Sequence, residues 1–458
     1  MLYHTWIFLL FFLIFYAVYL AVKATKFKNL WILIASYLFY GWWQPLFLIL
    51  IAYSTVIDYI AVAMMQKSHY RRIWLSVSIV NGLALLGFFK YGTFITENIN
   101  ALLSSLGTSY SINAGGILLP VGLSFYIFKS IGYAIDCYRG NVEREGNFVR
   151  HAVFVSFFPI LLAGPVERAG NLLPQLRKNL KISSRDIADG LSLFIVGLFK
   201  KIALADCLAL YVDKVYDTPA QYQSAALMLA TFAFAWQIYF DFSGYTDMAR
   251  GLARMMGFHI MLNFNNPYLA NGLGDFWRRW HISLSTWFRD YLYIPLGGNR
   301  RGKFNTYRNM FLTMVVAGLW HGAAWTFIIW GALHAIGRCM TRELEKSRFY
   351  SEKVPGFVKQ MFVFAFVTFA WIFFRAASWD HASVIVTKIF SSGLEDPGCP
   401  LLFIVLILAV WLYQFVYESA ARWILRLAAV RITAVVLMIL YLAVFTSSSS
   451  QAFIYLQF

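Results

Sequence analysis

Long apolar runs divided by short clusters of lysine and arginine constrain this chain more than any other feature. Of 458 residues, 60% are hydrophobic and 13% charged, whereas an ordinary soluble domain carries about 25% charged residues. No water-soluble fold hides that much apolar surface. Crossing about 30 Å of hydrocarbon takes about 20 mostly apolar residues, so the runs are read as membrane spans, roughly ten to twelve with the short ones included. The expected fold is all-α, a polytopic transmembrane helical protein with re-entrant or interfacial helices, embedded in the lipid bilayer. The formal net charge of +17 is then topological, because Lys and Arg collect in cytoplasmic loops, and no nucleic-acid partner is expected. Cys137, Cys207, Cys339 and Cys399 lie far apart without a CxxC pair, which indicates neither a zinc site nor a disulfide framework.

The basic clusters also set an orientation. The run from Trp6 to Val22 lacks a preceding basic region and a small-residue cleavage site, so it reads as a retained first span. It ends in Lys23, Lys26 and Lys28, which places that end in the cytoplasm and Met1 outside. Runs at Leu30–Trp43 and Leu46–Met65 lead back to Lys67, Arg71 and Arg72; runs at Ile73–Phe94 and Ile117–Tyr138 lead back to Arg139, Arg144 and Arg150. Ala152–Gly164 is too short to cross and ends in Ala163-Gly164-Pro165, which fits a re-entrant segment buried in protein. Spans follow at Ile187–Val212 and Ala225–Met248. Between Arg250 and Arg308 the pattern changes: nine basic residues stand against Asp275 and Asp290, interleaved with Trp277, Trp280, Trp287, Tyr291 and Tyr293. This segment is too polar to span and too aromatic for a free loop. Two apolar arms, Met310–Leu319 and Trp325–His334, flank Trp320-His321-Gly322. Beyond the charged loop at Arg338–Lys359 come spans at Phe362–Phe374, Leu401–Tyr417 and Ile432–Phe445, with an amphipathic piece at Ser378–Ser392. Without an internal repeat or linker, residues 1–458 read as one membrane domain with a catalytic core at about 120–340.

Ionisable residues at membrane depth are costly unless solvated or paired, so each is a functional candidate. His321 sits among Leu319, Trp320, Gly322 and Ala323, where a neutral imidazole can act as a general base or merely fix helix packing. His281, within Trp277-Arg278-Arg279-Trp280-His281, belongs to the segment that the orientation puts at the cytoplasmic face. There Arg278, Arg279, Arg289, Arg300 and Arg301 suit the phosphates of a soluble donor, with Trp277 and Trp280 stacking on a base or lining an apolar mouth; the plain alternative is an interfacial helix anchored in headgroups. Asp241, Ser243, Tyr245 and Asp247 end an apolar span and must face protein or water, Asp241 either orienting an imidazole or pairing with an arginine. The other histidines, His334 and His151 among them, sit for the most part at termini, loops or interfaces and receive no chemistry. No phosphate loop, dinucleotide turn, HExxH or GxSxG motif occurs, and no metal site is expected.

Three blocks resemble the membrane-bound O-acyltransferase superfamily, in particular its bacterial branch of alginate and peptidoglycan O-acetyltransferases. They are Ala163-Gly-Pro-Val-Glu-Arg168; Phe240-Asp-Phe-Ser-Gly-Tyr-Thr-Asp-Met-Ala249 with Asn263-Phe-Asn-Asn-Pro267; and the run from Asp275 to Gly298 leading to Gly318-Leu-Trp-His-Gly322. With the hydropathy pattern the resemblance covers nearly the whole chain, less so beyond Phe362. It implies helices around a central tunnel or funnel, with His321 in the middle and His281 toward the cytoplasm as the catalytic pair. Trp277, Arg279, Trp280, Arg289, Asp241, Ser243 and Asn265 become donor- or substrate-binding candidates. It further implies a bacterial inner-membrane O-acyltransferase, most simply an O-acetyltransferase, with no resident cofactor. Acetyl-coenzyme A or another acyl thioester is the donor substrate, and a separate extracytoplasmic acetyltransferase protein carries the group onward to a polysaccharide such as alginate or peptidoglycan, since no hydrolase-like domain stands in this chain. D-alanyl-type transfer from a carrier protein, and a non-enzymatic channel or transporter, are the alternatives.

Overall fold

A computed structural model describes residues 1–113, 115, 118–162, 164–394, 397–398, 400–445 and 454. Ala163, Ile117, Cys399 and, Ile454 excepted, the closing Phe453–Phe458 segment lie outside the described residues. Helices follow one another as α1 (Trp6–Val22), α2 (Lys28–Gly41), α3 (Phe47–Lys67), α4 (Arg71–Phe89), α5 (Gly92–Ser105), α6 (Leu123–Arg139), α7 (Phe148–Ser156), α8 (Ala169–Arg177), α9 (Ser184–Phe199) and α10 (Asp206–Tyr216). They continue as α11 (Ser224–Met255), α12 (Leu273–Arg279), α13 (Ile282–Phe288), α14 (Gly302–His321), α15 (Trp325–Leu344), α16 (Gly356–Arg375), α17 (Trp379–Ser391), α18 (Leu401–Glu418) and α19 (Ala428–Phe445). The described residues form no strand, as the bilayer demands of a chain that must satisfy its backbone internally.

Among the described residues, α3, α4, α11 and α16 are long and apolar enough to cross a bilayer, and shorter apolar segments lie at Trp6–Val22, Phe148–Ile160, Phe403–Glu418 and Ala428–Val444. Apolar side chains stay exposed along the outer helices, such as Leu10 and Leu13 on α1 and Leu437 and Leu440 on α19, the pattern expected where lipid replaces water. Two sequence runs are divided. The run read to Phe94 breaks after Phe89, at Lys90, and the run from Ala152 stops at Ser156 before a buried single turn at Phe158–Ile160. Pro159 lies in that turn and denies the helix a backbone donor.

The chain forms two compact units, residues 1–191 with 249–261, and 192–248 with 262–458. In the first, Phe8, Phe15 and Phe158 pack as a buried aromatic core, and mid-span Asp58 is satisfied by the Ser78 hydroxyl at 2.6 Å. Glu145, in the loop before α7, accepts from Arg150 Nε at 3.0 Å and Arg177 Nε at 2.8 Å. Burial opposes its charge, but the hydrogen bonds from Arg150 and Arg177 outweigh it and hold its carboxyl below the usual range. The Glu167 carboxylate, from the first of the three blocks, accepts from the Met261 N–H and the Asn171 amide, each at 2.8 Å, and so acts as a clamp.

The second unit is organised by the α14–α15 hairpin. A Cβ at Gly318 would meet the Phe327 carbonyl and one at Gly331 the Met314 carbonyl, so the two helices touch backbone to backbone, as small residues permit in membranes. At the open end Glu343 binds Lys303 at 2.9 Å and Tyr307. The buried Lys201 ammonium lies 2.7 Å from Asp206 and 2.8 Å from Asp241.

Two outcomes follow from these contacts. Gly318→Ala should destabilise by about 1–3 kcal/mol, the usual scale of overpacking, and lower the melting temperature in detergent, whereas Gly87→Ala, with open space around it, should leave it unchanged or raised. Glu145→Gln should lower stability at neutral pH. Because the native carboxyl titrates below its unfolded value, that difference is fully present above the ordinary carboxylate range and shrinks as pH falls through the native one; melting curves at several pH values read it directly.

Candidate functional site

Between α12 and α13 the backbone turns sharply at His281, which holds φ 41° and ψ 54°. A side chain in this left-handed region costs roughly 1–3 kcal/mol, so surrounding contacts must impose it. The strip 263–265 does so. Asn265 N–H donates to the Arg279 carbonyl and Ile282 N–H to the Asn263 carbonyl, both at 2.9 Å. The buried Asn263 Oδ1 accepts from the Ser283 hydroxyl at 2.6 Å. His281 is fully buried. Its ring meets Phe242 edge-on at 4.6 Å and lies 5.9 Å from Trp320 and 6.4 Å from His321. Neither ring nitrogen finds a hydrogen-bond partner among the described residues. Burial therefore pushes its pKa down to about 3 and keeps the imidazole neutral.

His321 ends α14. It is 3% exposed and wedged by Trp320 at 5.0 Å, Trp330 at 5.2 Å and Phe374 at 5.2 Å. It lines a cavity of about 270 Å³, whose α14 wall consists of Met310, Thr313, Met314, Ala317 and His321, a single helical face by spacing. Opposite stand Trp277, Arg278 and Arg289, and α15 contributes Arg338 and Arg342, one turn apart. At about 1.5 Å per residue, Arg338 lies about 20 Å along α15 from its start beside the hairpin tip. Polarity changes along this path. His321 is buried, Arg338 is 21% exposed in its side chain and Arg278 74%, so the cavity runs from a buried imidazole to a wet cationic mouth.

The residues singled out from sequence separate into two sets. His321, Trp277, Arg278 and Arg289 line the cavity, and His281 lies beside His321 without lining it. Both histidines are buried and adjacent. The others hold structure. Arg279 binds Asp275 at 3.1 Å and Glu418 at 3.0 Å. Trp280 is fully buried against Phe264, Phe276 and Trp371. Asp241 pairs with a lysine, Lys201, instead of an imidazole or an arginine, and accepts the Ile454 N–H at 2.8 Å. Ser243 is buried beyond the cavity lining, and Asn265 is exposed and contributes its backbone.

Sequence reasoning passed over Arg338 and Arg342, whose i,i+4 spacing on an apolar arm was the available signal, and the helical face Met310–Thr313–Met314–Ala317. It also left His334 at an interface. That side chain is fully buried within the aromatic wall, 5.1 Å from Trp277 and 4.7 Å from Trp330. Among the described residues no group of His, Cys, Asp and Glu could hold a metal ion. What the arrangement offers is a buried imidazole able to accept a proton when uncharged, beneath a mouth whose guanidinium groups suit phosphate or carboxylate.

Comparison with known proteins identifies the family. Residues 145–379, which contain both histidines and all four cavity arginines, match the model of the MBOAT, membrane-bound O-acyltransferase, family. Over 381 residues, 81% of this chain and 76% of its relative, the sequence is 43% identical to the probable alginate O-acetylase AlgI of Pseudomonas putida. It is 36% identical over 390 residues to the peptidoglycan O-acetyltransferase of Helicobacter pylori, covering 79% of this chain and 73% of that one. To the teichoic acid D-alanyltransferase of Bacillus subtilis it is 27% identical over 281 residues, 57% and 70% of the two chains. Ala317→Phe places an aromatic ring in the cavity one turn before His321, and is expected to abolish acyl transfer at a near wild-type melting temperature, which paired activity and unfolding measurements would read.

Proposed function

This chain belongs to the membrane-bound O-acyltransferase family and is a multi-pass membrane acyltransferase, and on that premise we propose that it draws an acetyl group from a cytoplasmic thioester and passes it across the bilayer for O-acetylation of an extracytoplasmic polysaccharide. The observation that carries this reading is the single cavity shared by His321 and four arginines. Its volume of about 270 Å³ is below the roughly 300–1,000 Å³ of sites that enclose a drug-sized ligand. It therefore admits the acyl thioester end of acetyl-coenzyme A while the phosphates remain with Arg278, Arg289, Arg338 and Arg342.

In this scheme the neutral His321 nitrogen takes the proton of an acceptor hydroxyl as the hydroxyl oxygen attacks the thioester carbonyl. The C–O bond forms, the C–S bond breaks, and the imidazolium returns the proton to the leaving thiolate. His281, the adjoining neutral imidazole, supplies an N–H toward the carbonyl oxygen on which charge develops. The arginines give the donor end its cytoplasmic orientation, with the N-terminus on the opposite side by the distribution of Lys and Arg. The names of the relatives point to alginate or peptidoglycan as the class of final acceptor, reached through a separate extracytoplasmic acetyltransferase. The similarity to a D-alanyltransferase makes a carrier-protein thioester the second reading.

The test is ester content of secreted and envelope polysaccharide in a deletion strain carrying wild type, His321→Ala, or Arg338→Ala with Arg342→Ala, at equal membrane abundance. Wild type should restore acetate esters. His321→Ala should fall by at least about a hundredfold, the lower scale of general-base loss, and the arginine pair should give a partial loss that added donor relieves. Full restoration by His321→Ala would contradict the assignment, and D-alanine in place of acetate would select the second reading.

A further inference from the structure

Helix α13 begins without a cap of its own. Its N-cap residue is His281, whose side chain makes no capping bond, although this position ordinarily carries Ser, Thr, Asp or Asn to accept from the first turn. The acceptor arrives from elsewhere in the chain. Asn263 Oδ1 takes both the Ser283 hydroxyl at 2.6 Å and the Ser283 N–H at 3.3 Å, while its main-chain oxygen takes the Ile282 N–H at 2.9 Å. Asn263 is fully buried, so water does not compete for these bonds. A self-capping residue at 281 would have to turn its side chain toward its own helix; the external cap lets the imidazole lie against Phe242 and beside His321 instead.

We propose that Asn263 is a positioning residue, which caps α13 from outside and thereby holds His281 in its left-handed conformation next to His321. The proposal rests on the reading of His281 and His321 as the acyl-transfer pair. Three details support a dedicated device over ordinary packing. Asn265 N–H bonds the Arg279 carbonyl, so the Asn263–Asn265 strip grips the chain on both sides of His281. Only Asn266 and His281 among the described non-glycine residues have positive φ, which puts the left-handed backbone immediately after this strip and at the turn it holds. Finally, among the described residues neither ring nitrogen of His281 has a hydrogen-bond partner, so its side chain takes no part in capping α13 and leaves that to Asn263.

The experiment measures the rate of acetate incorporation into polysaccharide for Asn263→Leu and Asn263→Asp, each alone and combined with His281→Ala, at matched abundance and melting temperature. Leucine keeps the size and removes the acceptor, so the rate should fall about a hundredfold, as for misplacement by an ångström; aspartate keeps the acceptor and should retain most of the rate. In the His281→Ala background, Asn263→Leu should cause no further loss. A wild-type rate in Asn263→Leu, or a further loss in that background, overturns the proposal. Should Asn263→Leu fail to fold, Ser283→Ala replaces it with a smaller expected loss, and full activity there overturns the proposal equally. His281→Ala at the wild-type rate would instead remove the underlying reading of His281, whereas an impaired His281→Ala with an unimpaired Asn263→Leu removes the positioning role alone.

Discussion

The backbone contact between α14 and α15 at Gly318 and Gly331 is what the site depends on. Lipid gives helices no hydrophobic reason to separate from it and pack together, so close association needs small residues that let backbones meet. Here that contact fixes two antiparallel helices with His321 beside their joined end and Arg338 and Arg342 farther along the return arm. A cavity that begins at a buried imidazole and ends among exposed guanidinium groups follows from that geometry. The same two helices carry His321 and two of the four cavity arginines.

The treatment of charge separates structure from chemistry. A buried ion is costly unless it is paired, and Lys201 with Asp206 and Asp241, Lys200 with Asp247, and Arg375 with Asp213 all lie within 2.8 Å of a partner. These networks tie helices together. His281 is treated differently, since it is buried without a counter-ion or a hydrogen bond from any of the described residues. Imidazole tolerates this because its neutral form is accessible at ordinary pH.

The helical class was legible from hydropathy because the bilayer admits few alternatives. His321 was legible as an ionisable residue on an apolar arm, and Trp277 and Arg289 as parts of a basic aromatic segment. Contacts between distant segments were not. Nothing local tells Arg289, at the cavity, from Arg279, which answers Asp275 and Glu418, and Asp241 gave no hint that its partner would be Lys201. Arg338 and Arg342 looked like loop charge because the preceding apolar arm was read as ending at His334, whereas α15 continues to Leu344. His281 stands among charged neighbours in the sequence; the turn held by the strip 263–265 buries it beside His321, and that pairing has no signature in local sequence.

The measurement that tests the central claim most directly is the structure of this protein in lipid nanodiscs with a non-hydrolysable acetyl-coenzyme A analogue. The account predicts the acyl carbonyl within hydrogen-bonding reach of His321, about 3 Å, the pantetheine arm along the α14 face, and phosphates against Arg338 and Arg342. An analogue bound elsewhere, with the His321 cavity unoccupied, would contradict it.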